Sequence, residues 1–181
     1  NILPIHEMGE LLDGRLYFTM ELVRGRTFTE VIESVHEASS ASRWESDADG
    51  WNPTRLVSAF TQVCEAAAYA HSRGVIHRDI KPANVLLDED QKPILADFGL
   101  ARMLEASIRL TQASQALGTP EFMSPEQAMG GDTDQRSDIY SFGVMLYQML
   151  VRRTPFRADT PAATLMAHVH RPVPLPSLLN A

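Results

Sequence analysis

Apolar and polar residues alternate after residue 15: Leu16, Phe18, Met20 and Leu22 are separated by Tyr17, Thr19 and Glu21. A period of two belongs to a strand, and Asp13-Gly14 just before it is a two-residue turn signal. Residues 5–23 therefore read as a hairpin. Val23-Arg24-Gly25 breaks the alternation, and 27–36 predict a short helix. Residues 37–53, EASSASRWESDADGWNP, are rich in Ser, Ala, Asp and Gly and read as a loop or insertion. Its Trp44 and Trp51 are expected to pack on the domain as a lid, and its ESDAD run to be a solvated turn. Asn52-Pro53 offers a cap and a first helical residue. Leu56, Phe60, Val63, Ala67 and Ala70 then mark one face of a long helix ending near Gly74. Val85-Leu86-Leu87 and Ile94-Leu95-Ala96, separated by DEDQKP, predict a second hairpin. Periodicity is weak over 100–137. Ile139, Phe142, Leu146 and Met149 then predict a buried helix, 161–169 a last helix, and RPVPLPS at 171–177 an extended, proline-rich exit. No internal repeat is visible. Helices mixed with antiparallel hairpins make an α+β chain.

Composition narrows the partners. The 181 residues suffice for one domain with a real core, and 44% hydrophobic with 22% charged residues is a soluble globular balance. A net charge of -7 argues against nucleic acid or an anionic membrane as the main partner. No apolar run approaches the roughly 18 residues of a membrane span, so no membrane contact is expected within this segment. The chain starts at Asn1 without an initiator Met or a signal pattern, so it reads as part of something longer. Its single cysteine, Cys64, falls on an apolar helical pattern and reads as a buried structural thiol in a reducing cytoplasm. His168 and His170 are two apart and share no helix face, which argues against a metal site. His6, His36 and His71 stand alone and read as surface or satisfied core residues.

The stretch VIHRDIKPANVLLD, residues 75–88, carries the chemistry. It sets His77, Arg78, Asp79, Lys81 and Asn84 in a loop between the long helix and the second hairpin, and Asp97 follows that hairpin. Asn84 and Asp97 offer side-chain oxygens suited to Mg²⁺, a hard cation that binds a few protein ligands together with phosphate oxygens. Asp79 is left to accept a proton from an attacking hydroxyl, and Lys81 to neutralise a transferring phosphoryl group.

These residues carry a resemblance. His77-Arg78-Asp79 with Asn84 five positions on resembles the H-R-D-x-x-x-x-N catalytic loop of eukaryotic-like protein kinases, and Asp97-Phe98-Gly99 their D-F-G. Ser124-Pro125-Glu126 stands where the family has A-P-E, after Gly118-Thr119, and SDIYSFGVMLYQML at 137–150 resembles the central helix of the large lobe. Lys81, two residues after Asp79, is similar to the Ser/Thr kinases, and the whole looks most like the bacterial Hanks-type branch. The resemblance implies a protein-kinase-like α+β fold over 1–181. Residues 1–23 would hold the fourth and fifth strands of the small lobe and the linker, 24–181 an incomplete large lobe, and 97–126 the activation segment. It implies ATP and Mg²⁺ as cofactors and a protein Ser/Thr hydroxyl as substrate. Asp79 would be the base, Lys81 would contact the γ-phosphate, and Asn84 and Asp97 would hold Mg²⁺. Met20 would guard the rear of the pocket, the backbone of Glu21 and Val23 would pair with the adenine edge, and Leu86 would form its floor. Phe98 would pack beside His77 and set the position of Asp97. Arg78 would read a phosphorylated residue of the activation segment: Thr111 first, by its spacing to Gly118, then Ser114 or Ser107. Self-association for autophosphorylation is a further implied contact. Asp138 would accept backbone N–H bonds from the catalytic loop, and Glu126 would pair with an Arg in a later helix.

The departure from the family pattern is large. There is no G-x-G-x-x-G loop, no V-A-I-K lysine and no helix Glu to pair with it. Those elements are expected upstream of Asn1, and the final helices downstream of Ala181. The 181 residues alone are accordingly expected to bind ATP poorly and to have little activity, while the parent is a competent kinase. A pseudokinase or scaffolding module, and a small-molecule phosphotransferase of kinase-like fold, are the alternatives. The intact Asp79, Asn84 and Asp97 speak against the first. The segment 97–126, with its G-T and P-E, speaks against the second.

Overall fold

The computed structural model describes residues 1–40, 43–98 and 119–179. Its first two strands, β1 (Ile5–Glu10) and β2 (Leu16–Met20), pair antiparallel with Glu10 opposite Leu16 and Ile5 opposite Met20. The connecting turn is one residue longer than Asp13-Gly14 suggests. Leu11 N–H donates to Arg15 C=O (2.8 Å) and Gly14 N–H to Leu11 C=O (2.9 Å), so Leu12, Asp13 and Gly14 form a three-residue loop. Gly14, at φ 83°, takes the left-handed position such loops require.

Helix α1 (Phe28–Ala38) starts on a capping box. Thr27 Oγ1 accepts from Glu30 N–H, and the Glu30 carboxylate accepts from Thr27 N–H at 2.7 Å. Helix α2 (Pro53–Ser72) starts on Asn52, whose side chain accepts from Arg55 N–H (3.0 Å), with Pro53 in the first turn as expected. Strands β3 (Val85–Leu87) and β4 (Pro93–Leu95) form the second hairpin. The N-terminal residues join its edge: Leu3 N–H donates to Leu95 C=O (2.9 Å) and Leu95 N–H to Asn1 C=O (2.8 Å). Short helix α3 (Pro125–Ala128), helix α4 (Gln135–Val151) and helix α5 (Pro161–His170) complete the described order. The proline-rich exit contains a short 3₁₀ turn, Pro176–Leu178.

One core joins α1, α2, α4 and the second hairpin, through Phe28, Val31, Ile32, Leu56, Val63, Ile80, Val85, Leu95 and Met145. Cys64 packs against it half-buried, and burial pushes its thiol above the usual range, as befits a structural thiol. The α4 expectation is corrected in part. Phe142 and Met149 are buried, but Ile139 and Leu146 lie exposed, and the inward face instead carries Asp138, Ser141 and Met145. Two polar residues occupy core positions, so apolar periodicity misplaces the stripe.

The described part of the insertion, 37–40 and 43–53, is more ordered than its composition suggests. Trp51 is buried, its indole N–H donating to Gln91 Oε1 at 2.7 Å and its ring meeting Phe28 edge-on. Trp44 stays half-exposed against the His36 imidazole. Asp47, in the run expected to be a solvated turn, has a side chain only 5% exposed. It accepts from Ser34 Oγ (2.5 Å), Trp51 N–H (2.8 Å) and Asp49 N–H (3.0 Å), and pairs with Arg26 at 3.3 Å. Burial pushes its carboxyl up, but these donors outweigh burial and hold it below the ordinary value. Among the described residues no helix is long and apolar enough to cross a membrane.

Candidate active site

The loop after α2 owes its shape to α4. The Asp138 carboxylate, at the start of α4 and fully buried, accepts from His77 N–H (2.8 Å) and Arg78 N–H (2.7 Å). This is the contact expected of Asp138. His71 of α2 adds a third bond, Nε2 to Asp138 Oδ2 at 2.7 Å. A carboxylate only accepts here, so that nitrogen carries the hydrogen. Single-residue reasoning had no signal for this pairing, because its partners lie 67 positions apart.

His77 is fully buried in a defined tautomer. Nε2 lies 2.8 Å from the Ala96 carbonyl and so donates, while Nδ1 accepts from Asp79 N–H (3.2 Å). Burial holds this imidazole below its ordinary pKa, so it stays neutral. Phe98 packs beside it, ring centres 4.6 Å apart, as expected.

Asp79 follows Arg78, which sits at φ 69°. Both side-chain contacts of Asp79 fall on one oxygen: Oδ2 accepts from Lys81 Nζ (2.8 Å) and Asn84 Nδ2 (2.9 Å). Oδ1 has no hydrogen bond among the described residues. The 3₁₀ turn Pro82–Asn84 brings Asn84 back over Asp79, where its Nδ2 also donates to the Asp79 carbonyl (2.8 Å). Both partners are acceptors, so the amide orientation is fixed. Asn84 Oδ1 thereby has no hydrogen bond among the described residues.

The second hairpin places the Asp97 carboxylate. Val85 faces Leu95, and Ala96 N–H donates to Asn84 C=O (2.8 Å), so Asn84 and Asp97 lie at the same end. Asp97 is exposed, at φ 64°. An amide oxygen and an exposed carboxylate fit a hard cation that takes its remaining ligands from phosphate and water. Leu86 alternates with buried Val85 and Leu87 and so faces the opposite, half-open side of the hairpin. The linker 21–24 lies outside the β1–β2 ladder and forms no backbone hydrogen bond among the described residues, leaving the groups of Glu21 and Val23 open. Met20 ends β2 half-buried.

Glu126 has a partner, Ser137 Oγ, which donates to its Oε1. Burial raises its carboxyl, but hydrogen bonds from Ser137, its own N–H and Ser124 outweigh this and lower it. Thr111, Ser114, Ser107, Gly99 and Gly118 lie outside the described residues. A cavity of about 510 Å³ lined by Tyr147, Arg153, Arg157 and Leu179 shares no residue with this cluster.

Residues 1–176 match the protein kinase domain, and the chain belongs to that family. It is 37% identical over 180 residues to the DNA damage-responsive serine/threonine-protein kinase RqkA of Deinococcus radiodurans, covering 99% of this chain and 25% of that protein. It is 35% identical over 179 residues to serine/threonine-protein kinase PknB of Mycobacterium leprae (96% and 26%). It is 33% identical over 180 residues to PknH of Mycobacterium tuberculosis (99% and 26%). The chain thus spans about a quarter of the length of the curated relatives it matches.

Proposed function

We propose that the protein carrying this chain is a serine/threonine protein kinase. It would transfer the γ-phosphate of ATP to hydroxyls of protein substrates in the cytoplasm. The observation that carries the reading is the division of labour on Asp79: Oδ2 is held by Lys81 and Asn84, and Oδ1 has no hydrogen bond among the described residues. Oδ1 accepts the substrate hydroxyl's hydrogen and aims its lone pair along the line of attack. Lys81, already beside Asp79, shifts its charge to the transferred group. Asn84 Oδ1 and the Asp97 carboxylate hold Mg²⁺, the open backbone of Glu21 and Val23 takes the adenine edge, and Leu86 lies under the base. When bound, Mg-ATP supplies the phosphoryl group and the positive charge that offsets its oxygens.

Regulation falls to neighbouring residues. Phe98, against His77, governs whether Asp97 is in place. Arg78, whose guanidinium has no acidic partner among the described residues, reads a phosphate on Thr111 or Ser114, added by a second copy of the kinase. Residues 1–23 then belong to the small lobe and linker, and 24–181 to the large lobe.

In the full-length protein, Asp79→Asn should lower kcat by roughly 10²- to 10⁴-fold while nucleotide titration shows ATP still bound. Asp97→Ala should abolish Mg²⁺-dependent nucleotide use. Normal turnover by Asp79→Asn would remove Asp79 from its role.

A further inference from the structure

We propose that Gln127 is a positioning residue for Asp79, an inference that rests on the kinase reading above. The Gln127 side chain spans two elements with its two polar atoms. Oε1 accepts from Ser124 N–H (3.0 Å), closing the capping box at the start of α3. Nε2 donates to the carbonyl of Arg78, 49 positions away in sequence, at 2.8 Å.

That carbonyl belongs to the peptide bond entering Asp79. Arg78 sits at φ 69°, in the sparsely populated left-handed region. Its N–H is held by the Asp138 carboxylate (2.7 Å) and its C=O by Gln127. Both peptide planes flanking the strained residue are thus pinned, one from α4 and one from α3. The Asp79 side chain leaves the second of these planes, so a rotation there swings Oδ1 away from the substrate hydroxyl. Because α3 begins within the last residues of the segment 97–126, the same bridge ties the end of that segment to the loop carrying the base. An amide suits the position: it must accept from Ser124 and donate to Arg78 at once.

Gln127→Glu separates the two duties. Glu at this position is an ordinary capping-box partner, so the α3 cap survives, but the donor facing the Arg78 carbonyl becomes an acceptor. In the full-length protein, Gln127→Glu is expected to lower kcat by roughly 10- to 100-fold, the scale of a misplaced reacting group. The KM for ATP should stay near wild type, and the melting temperature should fall by no more than the scale of one lost hydrogen bond. Amide hydrogen exchange at Arg78 and Asp79 should accelerate without a change elsewhere. Gln127→Ala, which loses cap and bridge together, should match the kcat loss and also melt earlier. Wild-type kcat and wild-type exchange in Gln127→Glu would overturn the proposal, as would Gln127→Ala that melts earlier but keeps its kcat. If the wild-type protein transferred no phosphate, the kinase reading would fall, while the exchange measurement would still decide whether the bridge holds the loop.

Discussion

Asp138 is a carboxylate with no exposed surface, and it has three donors: two backbone amides of the catalytic loop and His71. A buried charge survives only when paired this fully. Asp138→Asn is nearly isosteric but turns one acceptor into a donor, which must then face an amide N–H or the His71 N–H. The expected loss is about 1–3 kcal/mol in urea unfolding, together with reduced kcat as the loop relaxes. An unchanged unfolding midpoint would mean that the loop holds its own shape. At this scale the sequence was informative wherever chemistry fixes the residue type. The resemblance expected the bonds that Asp138 accepts, and Asp79, Asn84 and Asp97 fall at one end of the second hairpin, as their positions in the chain suggest. His71 and Gln127 were not legible, because a histidine and a glutamine gain their roles only from partners 67 and 49 positions away.

Elements were legible where local rules decide them. The Asn52 cap, the long helix α2 and the narrow hairpin β3–β4 follow from caps, periodicity and turn residues, whereas the Thr27–Glu30 capping box emerged only from the structure. Local rules failed where tertiary contacts decide, as on the inward face of α4 and in the insertion. There Asp47 accepts the amides of Asp49 and Trp51 and so folds its loop into a brace that carries Trp51 into the core. The brace reaches the linker region through Arg26, whose carbonyl accepts from Leu87 N–H at 2.8 Å. Asp47→Ala removes the acceptor of two amides, while Arg26 keeps Asp49 and the Glu30 carbonyl, and should cost about 1–3 kcal/mol, with Trp51 fluorescence shifting to the red as the indole meets water. Gly25 closes the same joint. A Cβ there would lie 1.9 Å from the Leu87 carbonyl oxygen, so Gly25→Ala must push the linker off β3. Weaker ATP affinity than in wild type, by nucleotide titration, is the expected result, since the linker carries the groups assigned to adenine.

Across the whole molecule, burial of imidazoles couples folding to pH. His77, His36 and His168 lie on three different elements, and burial is the largest influence on each, pushing all three below the ordinary histidine pKa. His77 is locked neutral between Ala96 and Asp79, and His36 is bonded to the Met149 carbonyl at 2.9 Å. The unfolded chain therefore binds protons that the folded one refuses once pH drops below about 6.5, the unperturbed imidazole value. Proton uptake by the unfolded state means that stability is intact above that pH and is lost as pH falls toward the folded values. Each such group adds up to about 1.4 kcal/mol per pH unit within its window. Asp47 and Glu126, held below the usual carboxylate range, extend the loss to more acid pH, where their protonation opposes folding. Urea midpoints should be flat from pH 8 to 7, fall between about 6.5 and 5, and fall again below about 4. His168→Phe, which removes one of the three imidazoles, should flatten the middle limb. A midpoint that held steady down to pH 5 would mean that these rings take up protons in place, and that the tautomer assigned to His77 is wrong.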